Sequence, residues 1–460
     1  TNAAGAPAPT APKAFSRTDR RPAGDVPGIA TDRVRIGASP SAIESDGLPI
    51  VAARPGSTVP FSEGPTPEIF RPDASGAFDK DAPKVPAPYR LRGLPQRKKF
   101  AIDMGATEDS ERAVEASLQW LARHQHPRGY WQPLEATLGQ ETGVKFNDPE
   151  DRQRSGLQAE SGLTALALLA FLGANYTHED NLYADNVDRA LRWLIAQQES
   201  DGYLGGRANR YARMYCHGMA TIALGEAYGM TKDSMLREPL LLAVQFIIDQ
   251  QNVADGGWRY LKTPTQTGDM SMFGWQLMAL KSAHTAGLKV PREPVQRAID
   301  FLRANSADLR TRGLSRSGGL AAYRREDRPK PSMTAEALFC KQMLGTKRDD
   351  AAVAEAVEYL QQNLPRRTQQ DLYYWYYGTL AMYHHGGEPW QRWNRALRDN
   401  LVADQRTDGD FAGSWNPRAP WGDYGGRVFS TALSTLCLEV YYRFLPLYQM
   451  SGKPEETKVK

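Results

Sequence analysis

The sequence predicts an all-α protein of about six αα-hairpins, closed into an inner and an outer ring of helices and preceded by an extended proline-rich arm. Three observations predict it. An apolar quartet spaced i, i+3, i+4, i+7 recurs from about residue 110 onward. Several copies end in a glutamine and a glycine-aromatic turn. A second helix follows each copy, more apolar and richer in small residues.

The quartet first reads Val114, Ser117, Leu118, Leu121 and returns as Val187, Ala190, Leu191, Leu194. It returns again as Leu240, Ala243, Val244, Ile247, as Val295, Ala298, Ile299, Leu302, and as Val353, Ala356, Val357, Leu360. A looser copy is Trp393, Ala396, Leu397. This spacing places the side chains on one helix face. An internal repeat constrains the whole fold and is read before any single motif.

The turns follow Gln125 (Gly129-Tyr130-Trp131), Gln198 (Asp201-Gly202-Tyr203), Gln251 (Gly256-Gly257-Trp258) and Gln405 (Gly413-Ser414-Trp415). In the fourth and fifth units Ser306 and Leu364 stand where the glutamine is expected. The second helices are expected over Gly162–Ala174, Cys216–Tyr228, Met272–Ala286, Met333–Leu344, Leu372–His384 and Val428–Phe444. Helices apolar nearly all round are buried, so these form the inner ring. The amphipathic helices hide their stripes against it.

The arm holds 16 of the chain's 31 prolines within residues 1–100, and Ala-Pro runs favour extended geometry. Apolar anchors such as Val34, Ile36, Phe61, Phe70 and Tyr89 punctuate it, as in a segment that lies along another surface. The net charge of +4 is uneven, with a basic cluster at Arg90, Arg92, Arg97, Lys98 and Lys99. The bland reading of that cluster is a solvated hinge. The functional reading makes Arg97, Lys98 and Lys99 a partner-binding patch. No groove-reading motif accompanies them, so nucleic acid is not expected. No apolar run is long enough to span a membrane. The first residue is Thr1, which suggests a processed N-terminus and a secreted or periplasmic protein. Cys216, Cys340 and Cys437 are scattered over inner helices and are read as buried free thiols.

A helix, a Gln-x-x-x-Gly-x-Trp turn and a small-residue inner helix resemble the repeat of the squalene-cyclase and protein-prenyltransferase superfamily. The resemblance is strongest at Gln198–Gly206, Gln251–Tyr260 and Gln405–Trp415. It implies an α/α toroid over residues 108–447, of a divergent bacterial type, between an arm at 1–107 and a polar tail at 448–460.

The chemistry of that superfamily is not matched. The Asp-x-Asp-Asp of alkene-protonating cyclases is absent, and at its place stands Gly268-Asp269-Met270-Ser271-Met272-Phe273. Asp269 is the one candidate acid, and an aspartate before an apolar helix reads first as an N-cap. A zinc-activated thiolate site is not expected either. Cys216 and His217 are adjacent and point about 100° apart on a helix, too far to share a metal readily. No phosphate loop or dinucleotide fingerprint is present, so neither cofactor nor metal is expected. Glu160, Asp371 and Asp423 are carboxylates that a carbohydrate-active toroid would need.

Leu372-Tyr373-Tyr374-Trp375-Tyr376-Tyr377 opens the fifth inner helix. Tyr373, Tyr374, Trp375 and Tyr377, with Trp275 and His217, are the candidate walls of an apolar-ligand site, set against plain core packing. The reading is a toroid that acts by binding or assembly, its arm strapped onto a partner chain or a second copy. The competing readings are a divergent terpenoid cyclase or lipid-modifying enzyme using Asp269, and a carbohydrate-active toroid.

Overall fold

Six amphipathic helices carry the quartets: α3 (Glu108–Arg123), α5 (Ala184–Ala196), α7 (Ser234–Asp249), α9 (Arg292–Thr311), α11 (Ala351–Gln361) and α13 (Gly387–Asp404). In α5 all four quartet residues are at most 2% exposed. Between them run α4 (Glu160–Gly173), α6 (Arg213–Thr231), α8 (Met270–Thr285), α10 (Pro331–Met343), α12 (Leu372–His385) and α14 (Gly422–Leu438). Each of these packs on the next, and α14 packs on α4, so the inner ring closes. The chain is an α/α toroid. The computed structural model describes residues 86–132, 156, 158–179, 181–262, 264–418 and 420–443. The arm to residue 85, the partner contact expected of it and the polar tail lie outside the described residues.

The turn glutamines staple neighbouring hairpins. Nε2 of Gln125, Gln198, Gln251 and Gln405 donates to the glycine carbonyl of its own turn. The same nitrogen donates to a carbonyl near the start of the next outer helix: Asn186, Pro239, Pro294 and Ala113 respectively. The turn tryptophans Trp131, Trp258 and Trp415 cap their own outer helices, each Nε1 donating to Leu121, Ile247 or Leu401 O at 2.8–2.9 Å. The tryptophan bonds fall on carbonyls in the last turn of each outer helix, where regular intrahelical pairing runs out.

In the fifth unit the staple is Gln361, not a residue at position 364, and its Nε2 donates to Pro389 O at 3.0 Å. The fourth unit inverts the device. Glu355 of the next outer helix reaches back and accepts from the backbone N–H of Ser317 and Gly319, at 2.8 and 2.9 Å, and from Ser315 Oγ at 2.8 Å.

The ring's axis is packed. Trp275 of α8 stacks on Tyr376 of α12, with Tyr377 edge-on and Phe339 beside it. All four are at most 1% exposed. Where the inner helices end, the axis is plugged by charge. Glu226 of α6 accepts from Arg92 at 2.7 Å and from Arg443, in α15 (Val440–Arg443), at 2.8 Å. Arg92 also donates to Leu172 O and Arg443 O. Charges paired in this way are the form in which a core tolerates ions.

Two expectations change here. Where an extended segment was expected to residue 107, α1 (Ala87–Arg90) and α2 (Arg97–Asp103) are helical. Arg92 belongs to the core, not to a solvated hinge. The sixth inner helix starts at Gly422 and kinks at Gly426, where φ is +70°. A residue without Cβ adopts that backbone at little cost.

Candidate functional site

The six inner helices begin at one end of the ring, called here the open face. The loops that lead into them are long, and they bring half-buried aromatics together. Tyr211 and Tyr215 lie against Tyr260, with ring centroids 5.7 and 6.1 Å apart. Tyr260 shares a phenol-phenol hydrogen bond with Tyr323. Across Ser271 the belt continues: Tyr215 bonds Ser271 Oγ at 2.6 Å, and Tyr373 donates to Ser271 O at 3.2 Å. Tyr373 then neighbours Trp421, which neighbours Tyr424. Trp421 is 39% exposed. The belt therefore spans units two to six.

Two carboxyls sit beneath it. Asp269 is fully buried. Its Oδ1 accepts from Met272 N at 3.0 Å and from Ser271 Oγ at 2.6 Å, so it caps α8 as the sequence suggested. Its Oδ2 pairs with Arg259 at 2.5 Å. Arg259 in turn donates to the Tyr323 hydroxyl at 2.6 Å and lies over the Tyr260 ring, 4.3 Å from its centre.

Glu336 of α10 is the second carboxyl, with no exposed surface. Its Oε1 accepts from Gly274 N at 3.0 Å, and its Oε2 is 2.6 Å from the Tyr373 hydroxyl. Burial holds its carboxyl well above the ordinary glutamate range. The Tyr373 and Gly274 hydrogen bonds oppose this, and the Asp269 charge adds to it. Tyr373 donates to Glu336 Oε2, and its hydroxyl also lies within hydrogen-bond reach of Ser271 O. The site thus holds one carboxyl paired with a guanidinium and one whose ionisation burial disfavours, linked through Ser271 and Tyr373. Two acids in environments this different are equipped for different roles.

Gly274 is needed for this geometry. A Cβ there would come within 2.1 Å of Glu336 Oε1.

The other candidate residues go elsewhere. Tyr374 points outward, edge-on to Trp393, and its hydroxyl donates to Asn363 O at 2.7 Å. His217 is a structural bracket. Its Nδ1 accepts from Leu204 N and its Nε2 donates to Ala243 O. In units one, four and six the corresponding bracket is made by Thr164, Thr334 and Thr431. Trp275 and Tyr377 are axis packing. Trp375 is buried at the wall of a cavity between units four and five. Of the basic trio, Arg97 donates to Arg92 O and Ala174 O, Lys98 pairs with Glu108, and Lys99 is exposed. Glu160 lies far round the ring, beside Arg207, and the Asp423 side chain lies outside the description. The three cysteines are buried and free.

Glu336 was missed in sequence. Its signal was a lone acid inside Met333–Leu344, at a position every neighbour marks as core. Among the described residues, no helix is long and apolar enough to cross a membrane. Nor, among them, does any group of three or more His, Cys, Asp or Glu have the geometry to hold a metal.

No family model matches the chain, and no curated protein matches its sequence. Solved structures that resemble it include the type II terpene cyclase MstE from Scytonema, 13% identical, with a TM-score of 0.46, covering 74% of this chain and 100% of that one. The GH76A α-1,6-mannanase of Salegentibacter sp. HEL1_6 is 13% identical, with a TM-score of 0.48, covering 72% of this chain and 98% of that one. An α-amylase from Clostridium perfringens is 9% identical, with a TM-score of 0.47, covering 72% and 97%.

Proposed function

We propose that this protein is a binding toroid that takes a polar ligand on its open face, across the aromatic belt, and does not enclose an isoprenoid at its axis. The observation that carries this reading is the packed axis. Side chains that lined a chamber for an isoprenoid would expose surface to it, and Trp275, Tyr376, Tyr377 and Phe339 expose at most 1% each. The open face offers what the axis lacks. Half-buried rings supply flat apolar contact, and the loop before α10 adds Arg324, Arg325, Arg328 and Lys330 against Glu326 and Asp327. Such a surface suits a hydroxylated ligand bearing negative charge.

A second reading rests on Glu336. A neutral buried acid joined to a half-exposed tyrosine is a proton store with an outlet at the binding face. In that reading Tyr373 passes a proton between Glu336 and a ligand laid over Ser271, and the toroid is an acid–base enzyme.

One titration separates these readings. Intact protein is titrated with acidic and neutral oligosaccharides and with isoprenoid diphosphates, following tryptophan fluorescence, and products are sought by mass spectrometry. Saturable binding of a polar ligand, weakened by Trp421→Ala and without turnover, is the expected result. Turnover lost in both Glu336→Gln and Tyr373→Phe selects the second reading. A cyclised isoprenoid product would overturn both.

A further inference from the structure

A cavity of about 220 Å³ opens on the same face between units one and two, at the start of α4. It is smaller than the roughly 300–1,000 Å³ of drug-sized sites, so its occupant is a small molecule. Its aromatic wall is reachable, unlike the axis. Tyr130 and Trp193 are half-buried, with ring centroids 5.0 Å apart, and His126 stacks behind Tyr130 at 4.3 Å.

Beside the rings stand two adjacent polar residues that the fold leaves incompletely paired. The first is Glu160. Its side chain is 9% exposed, and its Oε1 accepts from Arg207 at 3.3 Å. A close charge-assisted bond spans about 2.7–2.9 Å. Arg207 is itself 77% exposed, and the described residues give the carboxylate no second donor. A carboxylate this buried is costly without fuller pairing. The second is Ser161, which is 2% exposed. Its Oγ has no nitrogen or oxygen partner among the described residues, and the neighbouring Cys216 thiol is a weak one. A Cβ on Gly206 would face Ser161 Oγ at 3.5 Å, so the glycine leaves open the space before that hydroxyl. Ala159, the N-cap of α4, offers the first amides of the helix no side-chain acceptor. Arg128 lines the same cavity and makes no ion pair among the described residues.

We infer that this cavity binds a free α-amino acid. Its ammonium would sit between Glu160 and the face of Tyr130. Its carboxylate would meet Ser161 Oγ, the uncapped start of α4 and Arg128. An apolar side chain would lie on Trp193. The inference goes beyond the belt and does not depend on it.

Other small ligands leave part of the cavity unanswered. Phosphate or a simple carboxylic acid would face the Glu160 carboxylate with no positive charge of its own. An amine would satisfy Glu160 and the rings but leave Ser161 and Arg128 unmet. A neutral sugar carries neither charge. An α-amino acid holds opposite charges on one carbon, and the groups that would receive them stand on adjacent residues.

The test is calorimetric titration of the full chain with leucine and with its two halves, isoamylamine and isocaproate, inorganic phosphate serving as the anion control. Leucine is expected to bind at least about tenfold more tightly than the other three, since each lost charge-assisted contact costs about that factor. Glu160→Gln, which keeps the shape, and Arg128→Ala, at an exposed position, are each expected to weaken leucine about tenfold. Glu160→Gln should spare isocaproate, and Arg128→Ala should spare isoamylamine. Amine, acid or phosphate binding as tightly as leucine would overturn the zwitterion assignment. Leucine binding unchanged in both variants, or lost in Trp421→Ala, would place the ligand elsewhere and overturn the inference. No binding of leucine or phenylalanine, with circular dichroism showing an intact fold, would overturn it too. None of these failures decides the proposed function, which is read from the separate titration with polar ligands.

Discussion

Trp275 lies flat on Tyr376 across the ring, with centroids 5.7 Å apart and planes 9° from parallel. The two residues come from the third and fifth inner helices, so their contact bridges the inner face of the fourth, whose Phe339 lies against Tyr377. Tyr376 then reaches Arg443 through its hydroxyl, at 3.3 Å, joining the stack to the ionic plug at the far end. In the reading proposed above, the ligand is therefore taken at the face where the inner helices begin.

The plug makes the first prediction. Burial alone would raise the Glu226 carboxyl, but Arg443 and Arg92 outweigh burial and hold it below the ordinary range. Removing the shared acceptor leaves two buried guanidiniums without their charge partner. Glu226→Ala is expected to cost about 3–5 kcal/mol, the usual loss when one side of a buried pair is deleted. A chain beginning at residue 96 lacks Tyr89 and Arg92 and should melt lower for the same reason. Denaturant melts read both, and a change under 1 kcal/mol for Glu226→Ala would refute the structural role.

The staples make the second. Gln405 closes the ring on Ala113 at 2.7 Å, whereas Gln251 only joins consecutive units. Gln→Ala at either site should cost about 1–3 kcal/mol, because buried carbonyls lose their donors. Trp258→Ala adds a cavity and should cost about 3–5 kcal/mol. Equal melting of all three variants and the parent protein would contradict this account of the repeat.

The third concerns pH. Glu336 keeps in the fold a proton that the unfolded chain releases above about 4.5. The folded state therefore binds more protons there, and stability falls as pH rises from that value. Glu336→Gln retains the shape and the Gly274 contact while removing the titration. It should melt higher than the parent at pH 8 and show a flatter slope above pH 5. An unchanged slope would show that Glu336 is not the neutral acid described.

His217 acts in the opposite direction. Burial pushes it down to about 3 from 6.5, so its contribution is present above pH 6.5 and is lost as pH falls toward 3. His217→Gln should reduce the loss of stability between pH 6.5 and 4. NMR titration of the imidazole checks the cause directly: a midpoint near 6.5 would contradict the backbone bracket.

Much of this was legible in the sequence. The quartets gave the outer helices, and the small-residue runs gave the inner ones, because periodicity reports burial directly. Asp269 read correctly as a cap for the same local reason. Other features depended on contacts far apart in the chain. Gln361 sits one turn before the position where repeat alignment places the staple, and only Pro389 reveals its role. Arg92 looked like a surface base because nothing near it in sequence announces Glu226, 134 residues on. Glu336 carried a usable signal, an acid in a core stripe, which a search for the Asp-x-Asp-Asp pattern passes over. The aromatic run at Tyr373–Tyr377 could not be assigned from sequence, since successive helix residues face the mouth, the outer ring and the axis in turn.

The most direct test of the central claim is a xenon-pressurised crystal of the intact protein, because xenon enters dry apolar cavities. The account predicts no xenon among Trp275, Phe339, Tyr376 and Tyr377 in the parent protein, and one new site there in Trp275→Ala. Xenon bound at the axis of the parent protein would contradict it.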